Sequence, residues 1–77
     1  MGNIDLSRFM IDAWEYNCII YLSKFTGGEV EEDEEREMER IKNKWGAIPE
    51  FDIHLQSKKI DAICRKAFSE IKLPEEE

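Results

Sequence analysis

The sequence predicts an all-α fold, a small three-helix bundle with helices at about 5–26, 29–45 and 50 or 57–73. Three observations lead there. Apolar residues recur at steps of three and four through most of the chain, the spacing of one helix face. Gly27-Gly28 and the Gly46-Ala47-Ile48-Pro49 stretch punctuate that pattern twice, which divides it into three. The 77 residues suffice for one core and no more, so residues 1–77 form a single domain, with an acidic tail fraying at 74–77. A chain of this size buries only about 60% of its unfolded surface and is marginally stable alone.

The first helix spans about 5–26, with Asp5 or Ser7 to cap its start and Gly27-Gly28 to stop it. At 100° per residue, Arg8, Asp12, Glu15 and Ser23 share a polar face. Leu6, Met10, Ala13, Ile20 and Tyr21 lie opposite, flanked by Phe9, Trp14, Cys18 and Phe25. One neighbour could not cover so wide an apolar surface, so this helix is the central one, touched by both others. Asn17 and Lys24 interrupt the apolar face, and Ile19 falls on the polar one. Lys24 lies one turn from the helix end, where its ammonium reaches water. The series Leu6, Met10, Ala13, Asn17, Ile20, Lys24 alternates steps of four and three, as in a coiled-coil seam where an Asn fixes register. The favoured alternative is an Asn whose amide bonds a loop carbonyl inside a small core.

The second helix, 29–45, collects acids in its N-terminal half and Arg40, Lys42 and Lys44 in its C-terminal half, as the helix dipole prefers. Glu32–Arg36, Glu37–Arg40 and Glu39–Lys42 are spaced to pair. Its apolar stripe is thin: Val30, Met38, Ile41 and Trp45, with Glu34 at a core position. Beyond Pro49 two patterns compete. Residues 51–55 alternate apolar and polar as a short strand would, but a lone strand has no partner, and helix from Pro49 is the preferred reading. From Ser57, a candidate N-cap, the residues Ile60, Ile63, Cys64, Ala67, Phe68 and Ile71 make a helical stripe that Pro74 ends.

Chemistry is scarce. The single histidine, His54, has no nucleophile or orienting partner spaced near it. Cys18 and Cys64 stand far apart on apolar stripes, the pattern of two buried thiols in a reducing cytoplasm rather than of a disulfide or zinc site. No EF-hand, P-loop or G-x-G-x-x-G spacing occurs. No apolar run approaches the roughly 20 residues of a membrane span, the start lacks the basic and apolar regions of a signal peptide, and Leu6 spoils the myristoylation motif after Met1-Gly2. The expectation is a non-enzyme without metal or cofactor.

Charge is the outstanding feature. Glu29 to Glu39 holds eight of the 18 acidic residues and one of the 11 basic ones, so this stretch alone carries the whole net charge of -7. Such a chain repels nucleic acid and anionic lipid as direct ligands. As a helix the run spans about 16 Å, one net charge per roughly 2.3 Å, near the roughly 1.7 Å per charge of duplex DNA. Its carboxylates surround the helix, so mimicry of DNA is partial. The expectation is a cytoplasmic inhibitor or regulator, of the kind phages encode, that docks on a basic, nucleic-acid-binding surface of a larger protein. Glu29, Glu31, Glu32, Asp33, Glu34, Glu35 and Glu37 would supply the contacts, with Tyr16 and Ile19 as an exposed anchor pair. The second expectation is a structural module that associates with itself as a homodimer.

Overall fold

The computed structural model describes residues 6–71. Three α-helices are present, and among the described residues there is no strand: α1 at Leu6–Ser23, α2 at Glu32–Trp45 and α3 at Ser57–Glu70. The all-α bundle is as expected, with shorter helices. Beyond Ser23, α1 tightens into a single 3₁₀ turn, Lys24–Thr26, that ends at Gly27. Gly27 takes a left-handed φ of 73°, and the next amide, Gly28 N–H, donates to the Ser23 carbonyl at 2.7 Å. A side chain at Gly27 would disfavour that turn. Ser7 lies inside α1, not at its cap, and the Asp5 cap, the Pro74 stop and the 74–77 tail lie outside the described residues.

The second helix begins at Glu32, three residues later than expected, because Glu31 is extended and serves as the N-cap. Glu31 N–H donates back to Glu34 Oε1 at 3.3 Å, the reach-back half of a capping box. Four acids in the first turn, Glu32 to Glu35, complement the dipole.

Residues 51–55 are neither helix nor strand. The chain from Gly46 to Gln56 crosses the side of α1 as a loop, and Asn17 holds it there. The Asn17 amide donates to the Pro49 carbonyl at 2.9 Å and to the Ala13 carbonyl at 2.8 Å, and its Oδ1 accepts from Phe51 N–H at 2.9 Å. Asn17 thus bonds both the Pro49 carbonyl and the Phe51 amide, and the segment they bracket is held as loop and does not become the expected helix from Pro49. A turn follows, in which Asp52 Oδ1 accepts from His54 N–H at 3.0 Å. Asn17 is thus a buried loop clamp within one chain, which removes the seam reading.

Both α2 and α3 pack on α1, which is the central helix. The core comprises Phe9, Ala13, Tyr16, Ile41, Trp45, Ile60 and Cys64. Phe9 sits at its centre, edge-on to Trp45 at 5.2 Å and beside Phe68 at 5.3 Å. Burying rings and branched side chains of this size contributes about 1.5–3 kcal/mol each.

The orientation of α1 differs from the expected one by roughly a quarter turn at 100° per residue. Asp12, placed on the polar face by the sequence, is 1% exposed, and Tyr16 and Ile19, expected as an exposed anchor pair, are 8% and 7% exposed. Trp14 and Phe25, expected at the flanks of the core, are 42% and 71% exposed, alongside Ile11 and Leu22. The physical reason is a hydrogen bond. Trp45 closes the core at the end of α2, and its indole N–H needs an acceptor when buried. Asp12 Oδ2 supplies one at 2.7 Å, while Oδ1 lies 3.4 Å from Arg40 Nη2. Turning Asp12 inward satisfies the indole and carries the opposite face of α1 outward.

Candidate functional site

The acidic run is spread over the approach to α2 and its first two turns. Glu29, Glu31, Glu32, Asp33 and Glu35 are exposed; Glu34 and Glu37 are half-buried. The fold uses several of them. Glu31 and Glu34 take part in the cap. Arg36 reaches Glu32 at 3.8 Å and Asp33 at 3.6 Å. Glu37 accepts from Arg40 Nη2 at 2.7 Å. Two of the three pairings expected along α2 therefore form; among the described residues Glu39 and Lys42 do not pair. Glu29, Glu35 and Glu39 have no cation within salt-bridge distance among the described residues. Helical spacing puts Glu32, Glu35 and Glu39 in one row at steps of three and four. They flank a shallow groove lined also by Arg36, Met38, Lys42 and Tyr16.

Behind this row lies a second acidic contact, between α1 and α2. The Glu15 and Glu37 carboxyl groups lie near each other here, with Asp12 and Arg40 beside them. Partial burial, then the neighbouring Glu37 carboxylate, hold the Glu15 carboxyl above its ordinary value. Glu37 is held below its ordinary value, chiefly by the Arg40 hydrogen bond. The signs are opposite. A raised folded value stabilises below the ordinary range and loses that contribution as pH rises through it; Glu37 does the reverse as pH falls. Glu15→Gln therefore raises the melting temperature at pH 7 by about 1–3 °C, the scale of a solvent-screened surface pair. The gain vanishes below about pH 4, where Glu15 is already protonated. Thermal unfolding of both proteins at the two pH values checks this.

The chain matches no protein-family model, no curated protein and no solved structure. The surface must be read from its own chemistry. His54 is exposed, and its ring meets Tyr21 edge-on at 5.0 Å, with no nucleophile beside it. Cys64 is fully buried and Cys18 half-buried, so the expectation of two buried thiols holds for one of them. Burial, with a smaller contribution from a neighbouring carboxylate, pushes both thiols up. Among the described residues, no group of three or more His, Cys, Asp or Glu side chains is placed to hold a metal ion. None of the helices described is long and apolar enough to cross a membrane.

Two features escaped the sequence reading. Asp12 was counted as surface because nothing in the sequence announces that Trp45, 33 residues away, needs an acceptor. The outer face of α1 was missed because α1 is apolar on nearly every side, so the helical wheel does not choose which side turns inward. The available signal was the spacing of Ile11, Trp14, Cys18, Leu22 and Phe25, an apolar series without a charge in it.

Proposed function

We propose that the protein is a small acidic binding protein, an inhibitor or regulator that docks on a basic surface of a larger protein, such as one that normally meets nucleic acid. The observation that carries this reading is the row Glu32, Glu35 and Glu39, with Glu29 beyond it. Glu29, Glu35 and Glu39 lack a cation within salt-bridge distance among the described residues, while Arg36 and Arg40 serve their neighbours. Capping and the dipole engage Glu31 to Glu35, which leaves Glu29 and Glu39 without a part in either, while Glu35 serves the dipole and still has no arginine or lysine partner among the described residues. Partner contact comes from one side of α2, which suits a basic cleft or ridge better than a flat surface. Tyr16 and Ile19 are buried, so neither is an exposed anchor; Tyr16 only lines the groove beside the row.

The test uses the wild-type chain and a Glu32→Gln, Glu35→Gln, Glu39→Gln variant to capture partners from an extract of the source cells at low and high salt. Glu31 and Glu34 stay intact, because changing them would weaken the cap. The expected result is a partner retained by the wild type at low salt, released at high salt, and lost by the variant. A partner retained equally by both proteins, whatever the salt, overturns the reading.

A further inference from the structure

We infer that the outer face of α1 is a self-association surface, on which a second copy of this chain lies antiparallel. The inference is independent of the acidic reading. Ile11, Trp14, Leu22 and Phe25 are the large exposed hydrophobic residues among those described, 55%, 42%, 52% and 71% exposed. Ser7, Ile11, Trp14, Cys18 and Leu22 occupy a sector of about 80° around α1, in which no charged residue falls, and Phe25 prolongs it in the 3₁₀ turn that follows. Core, α2 and the loop cover much of the rest of α1, with Phe9 and Ala13 facing the core, Asp12 and Tyr16 facing α2, and Asn17 and Tyr21 contacting the loop. The exposed Arg8 and half-buried Glu15 border the sector on one edge, and Trp14 touches Phe51 of the loop on the other.

The spacing identifies the occupant. From Ile11 the series runs in steps of three, four, four and three, through Trp14, Cys18 and Leu22 to Phe25. It reads the same from either end, with Cys18 at its centre. A two-fold axis at Cys18 therefore lays the stripe on itself antiparallel. Ile11 meets Phe25 of the second copy, Trp14 meets Leu22 of the second copy, and the two Cys18 side chains face each other. Large rings oppose branched chains at both ends, and the smallest side chain sits where the helices approach most closely, which is self-complementarity of the isologous kind.

The area agrees. These four side chains expose roughly 400 Å², the size of a functional patch on a small protein. Two copies thus bring together roughly 800 Å² from the stripe alone, half of a standard interface of about 1,600 Å², with flanking residues such as Tyr21 and Glu15 to add the rim. The dimer is accordingly a weak, transient one, below the size class of stable interfaces. Two chains of charge -7 repel, so salt strengthens this contact, whereas salt weakens docking on a basic partner. The failure of one reading is thereby distinguishable from the failure of the other.

The experiment is molar mass by light scattering over a dilution series from about 1 to 500 µM, at low and high salt, for the wild type and for Leu22→Asp. The mass doubles in the wild type, at lower concentration when salt is high, and stays monomeric in Leu22→Asp, whose circular dichroism and unfolding match the wild type. Diamide, which takes up the two thiol protons and two electrons, links the wild-type chains through Cys18. Helix axes about 8–10 Å apart place facing Cα atoms within disulfide range. Cys18→Ser gives no linked product. A wild type monomeric throughout overturns the inference, as does a dimer that survives Leu22→Asp or gives no Cys18 link.

Discussion

Asp12→Ala lowers the unfolding free energy by about 3 kcal/mol, seen as a fall of about 2–3 M in the urea midpoint with an unchanged slope. The carboxylate is 1% exposed and accepts from the Trp45 indole at 2.7 Å, with Arg40 at 3.4 Å on its other oxygen. Removing it strands a buried N–H and releases Arg40, and the desolvation cost of the stranded donor is what makes the loss large. A chain of 77 residues has a total stability of about 4–11 kcal/mol, so Asp12→Ala removes between roughly a quarter and three quarters of it. Asp12→Asn keeps an oxygen for the indole and loses about 1 kcal/mol. Urea titrations of the three proteins by far-ultraviolet circular dichroism check both values.

Asn17→Asp costs about 2–3 kcal/mol, more than Asn17→Ala at about 2 kcal/mol, although the aspartate is the closer isostere. The amide donates to two carbonyls, Ala13 and Pro49, at 2.8 and 2.9 Å. An aspartate presents acceptors to those acceptors and keeps only the bond from Phe51 N–H, whereas alanine merely leaves the groups unpaired. Both variants free the loop from α1. The Phe51 amide then exchanges with solvent orders of magnitude faster, while amides in the middle of α2 slow or quicken only with global stability. Native-state hydrogen exchange of wild type and both variants reads this. Equal protection at Phe51 in all three would show that something other than Asn17 holds the loop.

These two residues mark how far the sequence is legible. Asn17 was readable because a lone amide amid an apolar stripe must find a backbone partner. The three helices were readable because glycine stops and helical spacing agree, and Ile41, Trp45, Ile60 and Cys64 became the core of α2 and α3 as their stripes require. Asp12 was not readable. Its partner is distant in sequence, and α1 offers apolar residues in almost every direction, so its rotation is decided by one indole and not by hydrophobic pattern. That rotation hid Tyr16 and Ile19 and brought out Ile11, Trp14, Leu22 and Phe25. Residues 51–55 failed for a related reason: a pattern of period two describes side chains, while the Asn17 amide and the Asp52 carboxylate determine the backbone. The acidic run was found by counting charge. The division of its carboxylates between cap, arginine partners and the uncompensated Glu29, Glu35 and Glu39 depends on the folded arrangement of α2.

The orientation of α1 underlies the buried Asp12, the clamp at Asn17 and the open apolar face, and the two tryptophans report it directly. The measurement is acrylamide quenching of tryptophan emission in the wild type and in Trp14→Phe, at about 1 µM, well below the concentration of self-association. The wild type should show one accessible and one protected population. Trp14→Phe should retain only the protected one, blue-shifted, because Trp45 is 5% exposed and Trp14 is 42% exposed. If Trp14→Phe instead loses the protected population and keeps the accessible one, α1 faces the other way and the account is wrong.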